Sequence, residues 1–241
     1  MTIVVHIPYN NATEAYTRYY IEAMRRMAAS PLELELQLHI VPYKSPCADS
    51  HSKAIREAFA AIEQKPDAVH VVCDSDTVVV MPKWDEVVKG ILTQVDCFGT
   101  AYQDVGTKQT GYGKKQTYKG KPNVEWLALA PGKPWHLFEP AKTGGEDVLV
   151  QTRDDSDLYG LNVGFQVLAD TCWNLPMFLR DQQLTSRVMP NVPNNSPYEE
   201  WQLDGVPFVI HQGKSRKNPF RATPYSRDFY TIADRATGVK A

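Results

Sequence analysis

The stretch that decides the fold is Ala68-Val69-His70-Val71-Val72-Cys73-Asp74-Ser75-Asp76. Val69–Cys73 is an apolar run without polar alternation, which suits a strand covered on both faces inside a parallel sheet. It ends in two carboxylates two residues apart. On a turn leaving a strand tip both can face one point, and hard oxygen ligands of this kind suit Mg²⁺ or Mn²⁺. Alone, such a pair reads more readily as an Asp-rich turn capping the next element; the strand before it brings the metal reading level. An EF-hand is excluded, because Val78 stands at the next ligand position and no loop glycine follows.

Outward from this strand the chain alternates. Ile3 to Pro8 is a short apolar run, read as a buried strand. Asn11 with Glu14 three residues on is a capping-box-like start. Tyr16, Tyr19, Tyr20, Ala23, Met24 and Met27 then recur at helical spacing until Ser30-Pro31 stops them. Leu34, Leu36, Leu38 and Ile40 alternate with polar residues as a strand does. Asp49 or Ser50 caps a second helix with Ile55, Ala58, Phe59 and Ile62 on its apolar face. Beyond the Asp pair, Pro82 fits the first turn of a third helix carrying Trp84, Val87, Val88 and Ile91, and Val95 to Tyr102 reads as a fourth strand. This order predicts an α/β domain with a mostly parallel central sheet flanked by helices and right-handed crossovers. In such sheets ligands bind beyond the carboxyl ends of the strands, here Pro8–Asn11, Pro42–His51 and Asp74–Asp76.

Length and composition bound the rest. The 241 residues are 43% hydrophobic and 22% charged, which fits one globular domain. With 26 basic and 28 acidic side chains the net charge is −2, so nothing pulls the whole chain toward nucleic acid or an anionic membrane. Cys47, Cys73, Cys97 and Cys172 form no CxxC pair, which points to reduced thiols rather than a disulfide framework or zinc ribbon. The start lacks the basic and apolar regions of a signal peptide, and no apolar run approaches the roughly 20 residues of a membrane helix. The expectation is a cytoplasmic protein without a membrane span.

After residue 104 the rhythm breaks. Gly and Lys dominate from Gly106 to Lys121, and Trp126, Trp135 and several prolines follow. Regular signals return as a strand at Tyr159–Leu168, a helix at Cys172–Leu184 and a strand at Val206–His211. Ser196-Pro197-Tyr198-Glu199 is a capping box with proline at the first helical position, and Gly205 is placed to end that short helix. Residues 218–241 read as an irregular tail wrapping the domain. The chain thus divides into a nucleotide-binding half (1–104), a smaller, less regular acceptor and catalytic half (105–217) and the tail, packed as one domain.

Three further groups carry chemistry. His211-Gln212-Gly213-Lys214-Ser215-Arg216 stands at the end of the last strand: the imidazole can complete a metal site, and Lys214, Arg216 and Lys217 can neutralise a diphosphate. A P-loop is excluded, because Phe208 stands where its first glycine would be. Tyr159-Gly160-Leu161-Asn162-Val163-Gly164-Phe165 places glycines around an Asn at a strand start, either a bulge or a backbone that a ligand approaches closely. Of Glu199 and Glu200, the first is the capping-box partner, which leaves Glu200 the freer candidate for a general base; Asp181 is its rival.

Taken in order, the strand-helix repeats, Asp74-Ser75-Asp76, Leu161-Asn162-Val163-Gly164, the acidic pair Glu199-Glu200 and His211-x-Gly213 with its basic residues resemble the GT-A-type nucleotide-sugar glycosyltransferases, over about Ile3 to Arg216. The resemblance implies a Rossmann-like GT-A fold and a divalent cation, Mn²⁺ or Mg²⁺. It implies that Asp76 and His211 ligate the ion, with Asp74 on the metal's water shell or the ribose. Ser75 belongs to the same donor-side turn. Lys214 and Arg216 would hold the diphosphate, and Pro8, Tyr9 and Asn10 the base. Ser50 and His51 would border the nucleotide, and Asn162 and Gly164 the donor sugar. An acid at the short helix, Glu200 or Glu199, would deprotonate the acceptor hydroxyl of a glycan, with inversion at the sugar.

Lys108, Lys114, Lys115, Lys119 and Lys121, interleaved with Tyr112 and Tyr118, could track a phosphate backbone as in a phage-type DNA-base glycosyltransferase. A solvated lid over the donor is favoured over that reading because the chain as a whole is near neutral. A nucleotidyltransferase would also use paired aspartates, but Pro8-Tyr9-Asn10-Asn11 is not its Gly-rich basic loop. A non-catalytic nucleotide-sugar-binding protein would keep the fold without needing the metal cluster.

Overall fold

The computed structural model describes residues 1–9, 14–40, 47–101, 122–140, 172, 174–192, 198–211 and 224–239. In chain order these form β1 (Ile3–Tyr9), α1 (Glu14–Met27), β2 (Leu34–Ile40), α2 (Cys47–Ala61), β3 (Val69–Cys73), β4 (Thr77–Val79), α3 (Trp84–Ile91), β5 (Cys97–Ala101), β6 (Pro122–Leu129), α4 (Leu175–Asp181), β7 (Ser186–Met189), β8 (Glu199–Leu203), β9 (Val206–His211) and α5 (Pro224–Thr237). A six-stranded sheet runs β2-β1-β3-β6-β5-β7, and a three-stranded one runs β4-β9-β8. In the large sheet β1 is parallel to β2 and to β3, and β5 to β7, while β6 opposes both its neighbours. The class is mixed α/β with a mostly parallel central sheet.

The layering follows from strand alternation. Ile3, Val5 and Ile7 of β1 and Val69, Val71 and Cys73 of β3 bury one face against Met24 and Met27 of α1 and Trp84 and Val88 of α3. Val72 faces the other way, with Leu127 and Leu129 of β6, onto Ile55, Ala58 and Phe59 of α2 and Leu175 and Leu179 of α4. The chain steps from β1 outward to β2, then back across β1 to β3. Right-handed crossovers therefore put α1 and α2 on opposite faces, and the order reverses between β1 and β3, the position at which sheets of this kind bind ligands. Asp85, buried at the start of α3, accepts from the backbone N–H of Ala29 at 2.7 Å and of Ser30 at 2.9 Å. Both oxygens of this carboxylate are thus committed to holding the end of α1 and the residues after it.

Several expectations change. The less regular half contributes β6, buried along nearly all its length and placed beside β3. Proline at its first position costs no ladder hydrogen bond within the strand. The short acidic helix expected before Gly205 is instead the strand β8. Trp201 and Leu203 alternate inward, and Asp204 (φ 50°) and Gly205 (φ 82°) form a two-residue hairpin turn with Leu203 paired to Val206. Pro82 lies ahead of α3, because Lys83 precedes that helix in the left-handed region. α4 is shorter than Cys172–Leu184, with Cys172 itself at φ 65°. The C-terminal segment is not irregular: Ala233 of α5 is buried beside Tyr19 and Tyr20, and Tyr19 Oη donates to Asp234 at 2.8 Å. The strand expected at 159–168 and the lysine-rich segment lie outside the described residues.

Candidate metal centre

The site grows from the end of β3. Asp74 N–H donates to the Glu125 carbonyl at 3.0 Å, and Thr77 Oγ1 donates to the same carbonyl at 3.2 Å. Thr77 N–H closes the turn onto the Asp74 carbonyl at 3.2 Å. One backbone oxygen of β6 thus clamps both ends of Asp74-Ser75-Asp76-Thr77. Thr77 then opens β4, where it pairs with His211, and His211 pairs on its other side with Glu199. Facing residues on adjacent strands share a face, so register brings β4 and β8 beside the imidazole of β9, and the turn between β3 and β4 adds Asp74 and Asp76.

The contacts are close. Asp76 Oδ1 lies 3.0 Å from His211 Nε2, and Glu199 Oε2 lies 2.9 Å from Nδ1. Glu125 Oε1 stands 3.9 Å from the same Nδ1. His211 is 3% exposed and Asp74 6%. Burial works against charge on His211, but Asp76, by attraction and hydrogen bond, then Glu199 and Glu125 outweigh it and hold its pKa well above the usual imidazole value. Burial first of all, with Glu199 and Asp74 adding to it, pushes the Glu125 carboxyl up to about 8 against the pull of His211 and Asn123. Burial, Asp74 and Asp76 drive the Cys73 thiol far above its ordinary range, which disfavours a thiolate there.

Ligand atoms of Asp74, Asp76 and His211 all lie within 4.8 Å of one another, and so do those of Glu125, Glu199 and His211. Among the described residues, carboxylates of Asp74, Asp76 and Glu199 gather around the one imidazole of His211, a set of oxygen and nitrogen donors that a divalent cation can accept. The first trio also fits one in chemistry. An octahedral ion with bonds of about 2.0–2.1 Å separates adjacent donors by about 3.0 Å, the spacing of Asp76 Oδ1 and His211 Nε2. Two carboxylates and one imidazole suit Mn²⁺, with Mg²⁺ a harder match to the nitrogen.

The structure therefore gathers Asp74, Asp76, His211 and Glu199, with half-buried Ser75 in the clamped turn. Glu200 points to the other face of β8, where its Oε1 accepts from Gln202 at 2.7 Å. Asp181 is exposed at the end of α4 and pairs with Arg180 at 2.9 Å. Pro8 is buried and Tyr9 ends β1, at the same sheet edge as the turn. Ser50 and His51 lie inside the first two turns of α2, which begins at Cys47, their side chains outside the described residues, as are Asn10, Asn162, Gly164, Lys214 and Arg216. Sequence reasoning missed Glu125. Its signal is a lone acid inside Val124-Glu125-Trp126-Leu127-Ala128-Leu129, otherwise an unbroken apolar strand.

No family model matches this chain, and no curated protein does. Among solved structures it is similar to A197 from STIV (12% identity, TM-score 0.32, covering 54% of this chain and 65% of that one). It is similar also to mouse xyloside xylosyltransferase 1 in its apo form (12%, 0.35, 53% and 66%). A third is the apo-form glycosyltransferase GlyE of Streptococcus pneumoniae TIGR4 (13%, 0.38, 96% and 60%). The matches span less than two thirds of the length of each. Likeness this remote carries no fold or activity over to this chain. Among the described residues no helix is long and apolar enough to cross a membrane.

Proposed function

We propose that this chain is a metal-dependent glycosyltransferase of GT-A type, moving a sugar from a nucleoside-diphosphate sugar to a hydroxyl acceptor such as a glycan. The observation that carries the reading is the convergence of Asp74, Asp76 and His211 at the carboxyl end of β3, beside the point where strand order reverses. A cation held there would neutralise the charge that develops on the departing diphosphate.

The chain's own residues do the rest. The Glu125 carbonyl fixes the Asp74–Thr77 turn, so the two carboxylates need no rearrangement to meet their partner. Pro8 and Tyr9 border the crevice that takes the nucleotide, and Lys214 and Arg216, following His211 in the chain, supply cations for the diphosphate. The base of an inverting transfer is Glu200, which lies on the face of β8 opposite to the His211 cluster and would have to serve an acceptor bound on that side; Glu199, on the cluster's own face, and Asp181 are its rivals.

The test is a thermal-shift screen of nucleoside diphosphates and nucleotide sugars, with and without Mn²⁺. A ligand at a hundred times its dissociation constant adds about 2.7 kcal/mol of stability. A shift for one diphosphate family that needs the metal is expected, and so is its loss in Asp76→Ala. Stabilisation by no nucleotide under either condition refutes the reading. Glu200→Gln is expected to keep donor binding and lose transfer; full transfer would hand the base role to Glu199 or Asp181.

A further inference from the structure

His211 presents a nitrogen to each of two carboxylate groups, and only one nitrogen can face a cation while the other keeps its proton. We propose that Glu199 is a positioning residue: it accepts the Nδ1–H of His211 and thereby turns the lone pair of Nε2 toward the cation at Asp74 and Asp76. This rests on the metal reading above and deepens it, because it assigns the two trios around one ring to different tasks.

The geometry separates the trios. Glu199 and His211 are a backbone-registered pair on neighbouring strands, so the 2.9 Å contact to Nδ1 follows from the sheet itself and needs no ion between them. Glu125, the other acid on that side, is engaged elsewhere: its Oε2 accepts from Asn123 Nδ2 at 3.0 Å, and the Asn123 side chain is bound in turn by Thr100. The Nδ1 side is therefore already satisfied by the protein. On the Nε2 side Asp76 comes from the turn after β3, which also carries Asp74, and ligand atoms of Asp74, Asp76 and His211 lie within 4.8 Å of one another. Trp201, buried two residues along β8, lies 6.2 Å from the ring at a 50° tilt and limits its swing. A carboxylate on the far nitrogen fixes the tautomer and raises the basicity of a metal-bound histidine, and its loss lowers metal affinity by about 10–100-fold.

The experiment is a Mn²⁺ titration of the full chain followed by electron paramagnetic resonance, with no substrate present. Glu199→Ala is expected to bind one Mn²⁺ about 10–100-fold more weakly. Glu199→Gln keeps an acceptor oxygen for Nδ1–H and a nearly identical shape, so it should fold as the unaltered chain does and recover most of the loss. In ¹⁵N-histidine-labelled protein loaded with Mg²⁺, the His211 ring should carry its proton on Nδ1. Affinity in Glu199→Ala within twofold of the unaltered chain overturns the inference, as does a ring protonated at Nε2. A loss as complete as that of Asp76→Ala also overturns it, because Glu199 would then be a ligand itself. Failure of the unaltered chain to bind Mn²⁺ overturns the metal reading and this inference with it.

Discussion

His6 and His211 are both buried, at 0% and 3% exposure, and stand in opposite electrical settings. His6 lies in a stack across the three strands at one side of the large sheet, its ring 5.2 Å from that of His39 and 5.1 Å from that of His70. The protons can be placed by elimination. The Lys65 carbonyl can only accept, so His70 donates to it from Nε2 at 2.9 Å. His70 Nδ1 then accepts from His6 Nε2 at 2.8 Å, and His6 Nδ1 accepts from His39 Nε2 at 3.0 Å. All three rings are satisfied while neutral. Burial, then His70 and His39, drops the His6 pKa to about 3. Around His211 the neighbours are carboxylates, and the shift is upward. Burial alone therefore does not make a histidine a functional group. The neighbours do, and a ring among acids marks a place built for positive charge where a ring among rings marks a packed core.

The sharpest break between the two is His211→Ala without metal. It removes the cationic partner from Asp76 and Glu199, and breaking a buried pair in this way costs about 3–5 kcal/mol. Denaturant unfolding should show the loss and its partial recovery with Mn²⁺. An unchanged midpoint would mean that the carboxylates do not depend on the ring.

Acid should act on the histidine stack next. The folded His6 pKa is depressed, so the unfolded chain binds its proton first. The stability His6 contributes is whole above the unfolded value of about 6.5 and is lost as pH falls toward 3. His6 contributes up to about 1.4 kcal/mol per pH unit over that window. His39 and His70 are also lowered, by burial first, although Glu57 opposes the shift at His39, and the Lys65 carbonyl and Glu35 oppose it at His70. A pH series of unfolding midpoints should steepen below about pH 6, and His6→Phe should flatten it by one proton. At neutral pH the same variant should cost about 1–3 kcal/mol, because it removes the partner of the buried His70 Nδ1. Its Mn²⁺ affinity should not move, and a loss of metal binding would mean the two regions are coupled. The smallest effect belongs to Lys65→Ala. It removes an exposed pair with Glu35, worth about 0–1 kcal/mol, and spares the backbone carbonyl that anchors the stack.

Much of this was legible in the sequence. Val69–Cys73 and Val206–His211 have the bounds read from their apolar runs, and Asp74, Asp76 and His211 meet as the order of motifs implied. What escaped was set by competing local signals. Ser196-Pro197-Tyr198-Glu199 carries a helix-start pattern, yet the two-residue period of Trp201 and Leu203 and the Asp204-Gly205 turn pair it with β9, and tertiary pairing prevailed over the cap. β6 was hidden by its opening proline and by Glu125, a polar residue in an apolar strand that becomes intelligible only once His211 lies beside it. The histidine stack had no sequence signature at all, because residues 6, 39 and 70 are brought together by parallel register alone.

The central claim is that the cluster on His211 holds a divalent cation, and Mn²⁺ binding to Asp76→Ala tests it most directly. Calorimetric titration of the unaltered chain should give one site. The same titration of Asp76→Ala should show affinity lower by at least about 100-fold, beyond the loss of an outer partner, with the fold intact by circular dichroism. Equal affinity in the two proteins would contradict the account.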